Sequence, residues 1–153
     1  MLTQHELDVL GQLLACVLPS SSGPGAAEAR AIDYVAARLP AEDPAVVAAL
    51  RDGISRAEAA GLDAEGTIRA WSADRSAPPW QLFRRVRSWA WEGFLCEPRH
   101  GGNRGQVGWT RFGIAGPPQP RGFTLEELTA PGPESEVGRP AGHPCERPRG
   151  RDR

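Results

Sequence analysis

The sequence contains no lysine; all 18 of its basic residues are arginine. That absence reads as coding bias in the gene, and it also removes the cation of a phosphate-binding P-loop. "GGNRGQVG" (Gly101 to Gly108) has neither the Lys nor the Ser/Thr of such a loop, and it is not a GxGxxG turn following a strand. Cysteine is scarce. Cys16, Cys96 and Cys145 are odd in number and unclustered, with no CxxC or Cys/His metal spacing, which suits a reducing compartment. No apolar run approaches the roughly 20 residues of a membrane-spanning helix. Excess charge is missing too: 18 basic against 19 acidic residues leave a net charge of -1. No global pull toward nucleic acid or a membrane surface follows from that balance. No internal repeat is visible.

What is present is a helical pattern in a chain of 153 residues, a length that suggests one domain burying roughly 70% of its unfolded surface. Thr3 and Glu6 form a capping box, and Leu7, Leu10, Leu14 and Leu18 follow at helical spacing until Pro19. This opening has no cationic n-region and reads as an amphipathic helix, not a signal peptide. After the breaker loop "SSSGPG" (Ser20 to Gly25), a second helix is expected from about Ala26, with Ile32, Val35 and Leu39 on its apolar face. Asp43 and Pro44 mark the start of a third helix, which ends at Gly61, and Asp63 caps a short fourth carrying Ile68 and Trp71. A fifth runs from about Pro78 to Leu95. Leu82, Phe83, Val86, Trp89, Ala90 and Phe94 share its core face.

A second stripe on that fifth helix consists of Trp80, Arg84, Arg87 and Trp91, spaced i, i+4, i+7, i+11. Two indoles interleaved with two guanidiniums have the geometry of a cation–π ladder. Two arginines in a monomer core are costly, whereas Trp and Arg are enriched where partners meet. The competing reading is partial burial against a loop of the same chain.

"EPRHGGNRGQVGWTRFGI" (Glu97 to Ile114) concentrates five glycines, an Asn, three arginines, a His and a Trp without helical periodicity. Gly101, Gly102, Gly105 and Gly108 permit positive φ or close backbone approach, and Asn103 can organise a loop through its side chain. Trp109 and Phe112 are expected to anchor the loop to the core, leaving Arg104 and Arg111 for an outside partner. Strands are not needed, though Gly105 to Ile114 is compatible with a short extended segment. A catalytic reading is thin: Cys96 lies four residues before His100, so a Cys–His pair is conceivable, but paired carboxylates in a cleft are not apparent. From Thr129 on the chain is Pro, Gly, Arg and Glu with almost nothing apolar, which predicts a disordered tail. Its arginines (Arg147, Arg149, Arg151, Arg153) are diluted by Glu146 and Asp152 and read as a solvated tail before a nucleic-acid arm. The fold class expected is all-α: about five helices in a small bundle over residues 1–128, closed by an irregular glycine-rich lobe, with residues 129–153 as the tail.

Trp91 to Pro117, "WEGFLCEPRHGGNRGQVGWTRFGIAGP", resembles the signature of the gluconate 2-dehydrogenase subunit 3 family. The matching elements are Glu92-Gly93-Phe94, Glu97-Pro98, Gly101-Gly102-Asn103, Gly108-Trp109 and Phe112-Gly113 with Gly116. "GPGAAEARAIDYV" (Gly23 to Val35) and "RGFTLEEL" (Arg121 to Leu128) extend the likeness to about Leu2–Leu128. Glu97 stands where Asp is commoner, and "IAG" (Ile114 to Gly116) replaces an aromatic–Pro–Gly ending.

The resemblance implies a small accessory subunit with no redox centre of its own. Its partner would be a glucose-methanol-choline-type flavoprotein that holds the FAD and oxidises a sugar, sugar acid or alcohol; in many such complexes a cytochrome c subunit accepts the electrons. The subunit would support folding of the flavoprotein and often its export. Docking falls to Trp80, Arg84, Arg87, Trp91, Gly101, Gly102, Asn103, Arg104, Trp109 and Arg111. No nucleic-acid partner and no membrane insertion are expected. Without a signal peptide the chain is expected in the cytoplasm, with the periplasm or cell envelope as the family's alternative.

Overall fold

The structure, a computed structural model, describes residues 1–114. The turn expected at Thr124 to Glu127 and the tail lie outside the described residues. Six α-helices and no strand are found among those described: α1 (Gln4–Val17), α2 (Ala31–Arg38), α3 (Pro44–Ala59), α4 (Ala64–Ser72), α5 (Pro79–Leu95) and α6 (Val107–Arg111). Short 3-10 turns occupy Leu39–Ala41, Pro98–His100 and Arg104–Gln106. The all-α bundle expected from the sequence is thus present, with one helix more than expected.

Local chemistry sets most of the boundaries. Thr3 accepts the Glu6 amide, and the Glu6 carboxylate returns to the Thr3 amide at 2.6 Å, so both halves of the capping box form. Asp43 caps α3 through the Ala45 amide, with Pro44 in the first turn. Asp63 caps α4 through the Gly66 amide at 2.7 Å. Gly61, just past the end of α3, sits at φ 68°, the left-handed stop that glycine provides most cheaply.

The start of α2 differs from expectation by five residues. Ala26 to Arg30 form turns, and Arg30 stands at φ 55° immediately before the helix. The reason is tertiary. The Glu28 carboxylate bonds back to the Gly25 amide and the Ser20 hydroxyl, and Ala26 and Ala29 are buried. The Ala31 amide reaches Ala26 and the Asp33 amide reaches Arg30, so the Ala29 carbonyl has no helical donor and accepts the Arg104 amide instead. A helix running from Ala26 would have spent that carbonyl on Asp33.

The core is built around α5, which packs on α1, α2 and α4 and more lightly on α3. Leu10, Leu13 and Leu14 from α1, Val35 from α2, Leu50 and Ile54 from α3, and Val86, Trp89 and Phe94 from α5 are fully buried. Gly93 lets α5 lie against α2: a Cβ there would stand 2.8 Å from both Cα and Cβ of Ala31. On the polar flank of α5, Arg85 pairs with Glu42 and stacks over the Trp89 ring at 4.8 Å, and Glu92 accepts from Ser88 and Tyr34.

Candidate docking surface

The glycine-rich stretch is an extended cap on the C-terminus of α5. A helix end leaves its last four carbonyls without intrahelical donors, and this stretch supplies donors to two of them, Gly93 and Leu95. The Asn103 amide donates to the Gly93 carbonyl at 2.7 Å. The Trp109 indole donates to the Leu95 carbonyl at 2.8 Å, and the Cys96 amide returns to Glu92. One residue beyond the helix, the Asn103 side-chain amide donates to the Cys96 carbonyl at 2.9 Å. Its oxygen accepts the Gly108 amide at 2.8 Å and so ties the start of α6 to the same point. Asn103 is 0% exposed and sits at φ 46°, a conformation Asn tolerates better than most residues.

Two glycines make this closeness possible. A methyl group at Gly102 would collide with the Gly93 carbonyl, and one at Gly108 with the Phe94 carbonyl. Gly101 and Gly105 instead take positive φ, so all four glycines do what the sequence suggested. Residues 105–114, compatible in sequence with a short extended segment, form no strand and instead take up the 3-10 turn and α6. A helical turn there lays the Gly108 backbone against the Phe94 carbonyl and turns its amide to the Asn103 side chain.

The ten residues named from the sequence therefore divide. Gly102, Asn103 and Trp109 are buried and hold the loop from within. Gly101 lies against the backbone of Asp33 and Tyr34. Arg111, expected to face outward, turns inward: its guanidinium donates to the Pro24 carbonyl at 2.6 Å and to the Ser22 hydroxyl at 2.8 Å, closing the loop over the segment before α2. Arg104 uses its backbone on Ala29 and leaves its side chain exposed.

Trp80, Arg84, Arg87 and Trp91 do share the outer face of α5, but the cation–π ladder does not form. Among the described residues the guanidiniums that stack over indoles are Arg75 on Trp80, at 5.4 Å, and Arg85 on Trp89. Trp80 is half-buried against Phe83, with ring centroids 5.2 Å apart. Trp91 is 37% exposed. Its ring meets Phe94 edge-on and lies 6.2 Å from Phe112. Phe112, expected as a core anchor, is 53% exposed and extends the same aromatic patch outward. Sequence reasoning missed this role because Phe112 approaches Trp91 only through the fold of the loop. Ile114, 47% exposed, is the last residue described.

The Cys96–His100 pair has little geometric support. The Cys96 thiol is half-buried and directed at the Gly93 carbonyl, and burial pushes its pKa up, away from the thiolate a nucleophile requires. His100 is exposed in the 3-10 turn. Among the described residues no group of three or more His, Cys, Asp or Glu side chains is placed to hold a metal ion, and no helix is long and apolar enough to cross a membrane. Comparison of the chain with protein-family models, with curated proteins and with solved structures finds no match.

Proposed function

We propose that this chain is a non-catalytic small subunit. It docks on a glucose-methanol-choline-type flavoprotein, which holds the FAD and oxidises a sugar, sugar acid or alcohol, and it supports that protein's folding and maturation. The observation that carries the docking part is the outer face of α5, where exposed Trp91 and Phe112 stand beside Arg84 and Arg87. That face is backed by a loop fixed through its own hydrogen bonds. Such a surface needs little reordering when a partner arrives, which lowers the entropic cost of association. The choice of a flavoprotein as partner rests on the sequence resemblance of Trp91 to Pro117. A cytochrome c subunit accepting the electrons belongs to the same proposal, as does a cytoplasmic location, with the periplasm or cell envelope beside the partner as the family's alternative.

The test is co-expression of the tagged chain with a glucose-methanol-choline-type flavoprotein from the same genome, followed by affinity capture and an absorption spectrum. A stoichiometric partner with flavin bands, and a lower yield of soluble flavoprotein when the small chain is omitted, is the expected result. Capture of the chain alone, with flavoprotein folding unaffected, would overturn the proposal.

A further inference from the structure

From the charge pattern on α5 we infer that the surface receiving this face is an acidic protein surface carrying apolar side chains between its carboxylates. The inference rests on the docking reading for which face is used, and adds the chemistry of what meets it. Eight ion pairs occur among the described residues, and they engage Arg30, Arg51, Arg56, Arg69, Arg85, Arg99 and His5. Arg84 and Arg87 are not among them. Among the described residues Arg84 has only a long contact to Gln81 at 3.5 Å, although Arg85, its neighbour in sequence, pairs with Glu42. Glu92, the one acid on α5, lies on the other flank with Ser88 and Tyr34.

Arg84, Arg87 and Trp91 fall within one helical stripe, since residues three, four and seven apart share a face. The fold thus places two guanidiniums that have no acidic partner among the described residues beside an exposed indole that Phe112 supports from the side. A neutral apolar partner would strip water from both cations and return nothing, and a basic one would repel them. Carboxylates meet them with forked, charge-assisted hydrogen bonds, while the indole accepts an apolar side chain.

The test uses the full chain and two fluorescein-labelled helical peptides, one with leucines flanked by glutamates and one with glutamine at every glutamate. Fluorescence anisotropy is read at low and high salt. The glutamate peptide is expected to bind at least ~10-fold more tightly than the glutamine peptide, the margin shrinking as salt rises. The double variant Arg84→Glu/Arg87→Glu should erase the margin, as should the milder Arg84→Gln/Arg87→Gln. Arg56→Glu/Arg69→Glu, a reversal of equal size elsewhere, should leave it. Equal affinity for the two peptides, binding of neither, or an unchanged margin in the Arg84/Arg87 variants would overturn the inference. Self-association of the chain that Trp91→Ala abolishes, seen in sedimentation, would assign the face to a second copy and likewise overturn it. Failure of the flavoprotein co-expression leaves the peptide result standing, and failure of the peptide result leaves the flavoprotein complex standing, so the two claims fall separately.

Discussion

At the scale of single residues, Asn103 has the most demanding position. Its side chain satisfies the Cys96 carbonyl and the Gly108 amide at once from a fully buried site. Asn103→Ala strands both partners, and each stranded buried group costs about 1–3 kcal/mol. Urea unfolding of this variant should show a loss of about 2–4 kcal/mol; a loss below ~0.5 kcal/mol would mean that water or another group replaces the amide. Cys96 makes a second residue-scale prediction. Burial raises its thiol pKa, so alkylation by iodoacetamide should accelerate only as the pH climbs beyond the ordinary thiol range. Rapid labelling of Cys96 at neutral pH would revive the nucleophile reading. The type of work done by Asn103 was legible in the sequence, because an Asn among glycines signals a loop organised by side-chain bonds. Its partners were not, because they lie on a helix end that only the fold brings alongside. Arg111 was misread for the same reason: its acceptors, Pro24 and Ser22, are far away in sequence.

At the scale of elements, the capping signals were read directly. Thr3/Glu6, Asp43 and Asp63 act within four residues of themselves, so no tertiary information was needed. The start of α2 was not legible, because the competing bond, Arg104 to Ala29, comes from the other end of the described chain. The α1 cap makes a pH-dependent prediction. The Thr3 amide, with further help from the Thr3 hydroxyl and Arg51, holds the Glu6 carboxyl below its ordinary pKa. A lowered folded value means that the native state favours the charged form. Its stabilisation is therefore present above the unfolded carboxyl pKa and is lost as the pH falls through the folded one. In thermal melts across the acid range, Glu6→Gln should be less stable than wild type near neutrality and converge with it in acid. Parallel curves would refute the cap as the source. The join between α5 and α6 makes another prediction. Gly108→Ala pushes a methyl group into the Phe94 carbonyl and should cost roughly 3 kcal/mol or more, since backbone on both sides leaves no easy relaxation. A Gly108→Ala protein as stable as wild type would contradict this close approach.

At the scale of the whole molecule, the glycine-rich stretch binds the end of α5, the segment before α2 and the short α6 into one unit, and carries on its outside an aromatic patch flanked by arginines. The sequence showed that Trp80, Arg84, Arg87 and Trp91 share a stripe, because periodicity alone decides that. It did not show that Phe112 joins Trp91, or that Arg75 takes Trp80, because those are contacts between elements. The central claim is that this face binds a flavoprotein. The most direct measurement is calorimetric titration of the large subunit with wild-type chain and with Trp91→Ala, alongside the melting temperature of each free chain. The account predicts an affinity lower by ~2 kcal/mol or more, about 30-fold, in a chain that still folds although it loses the packing of Trp91 on Phe94. Unchanged affinity, or a Trp91→Ala chain that no longer folds, would contradict it and return Trp91 to the interior of a self-contained domain.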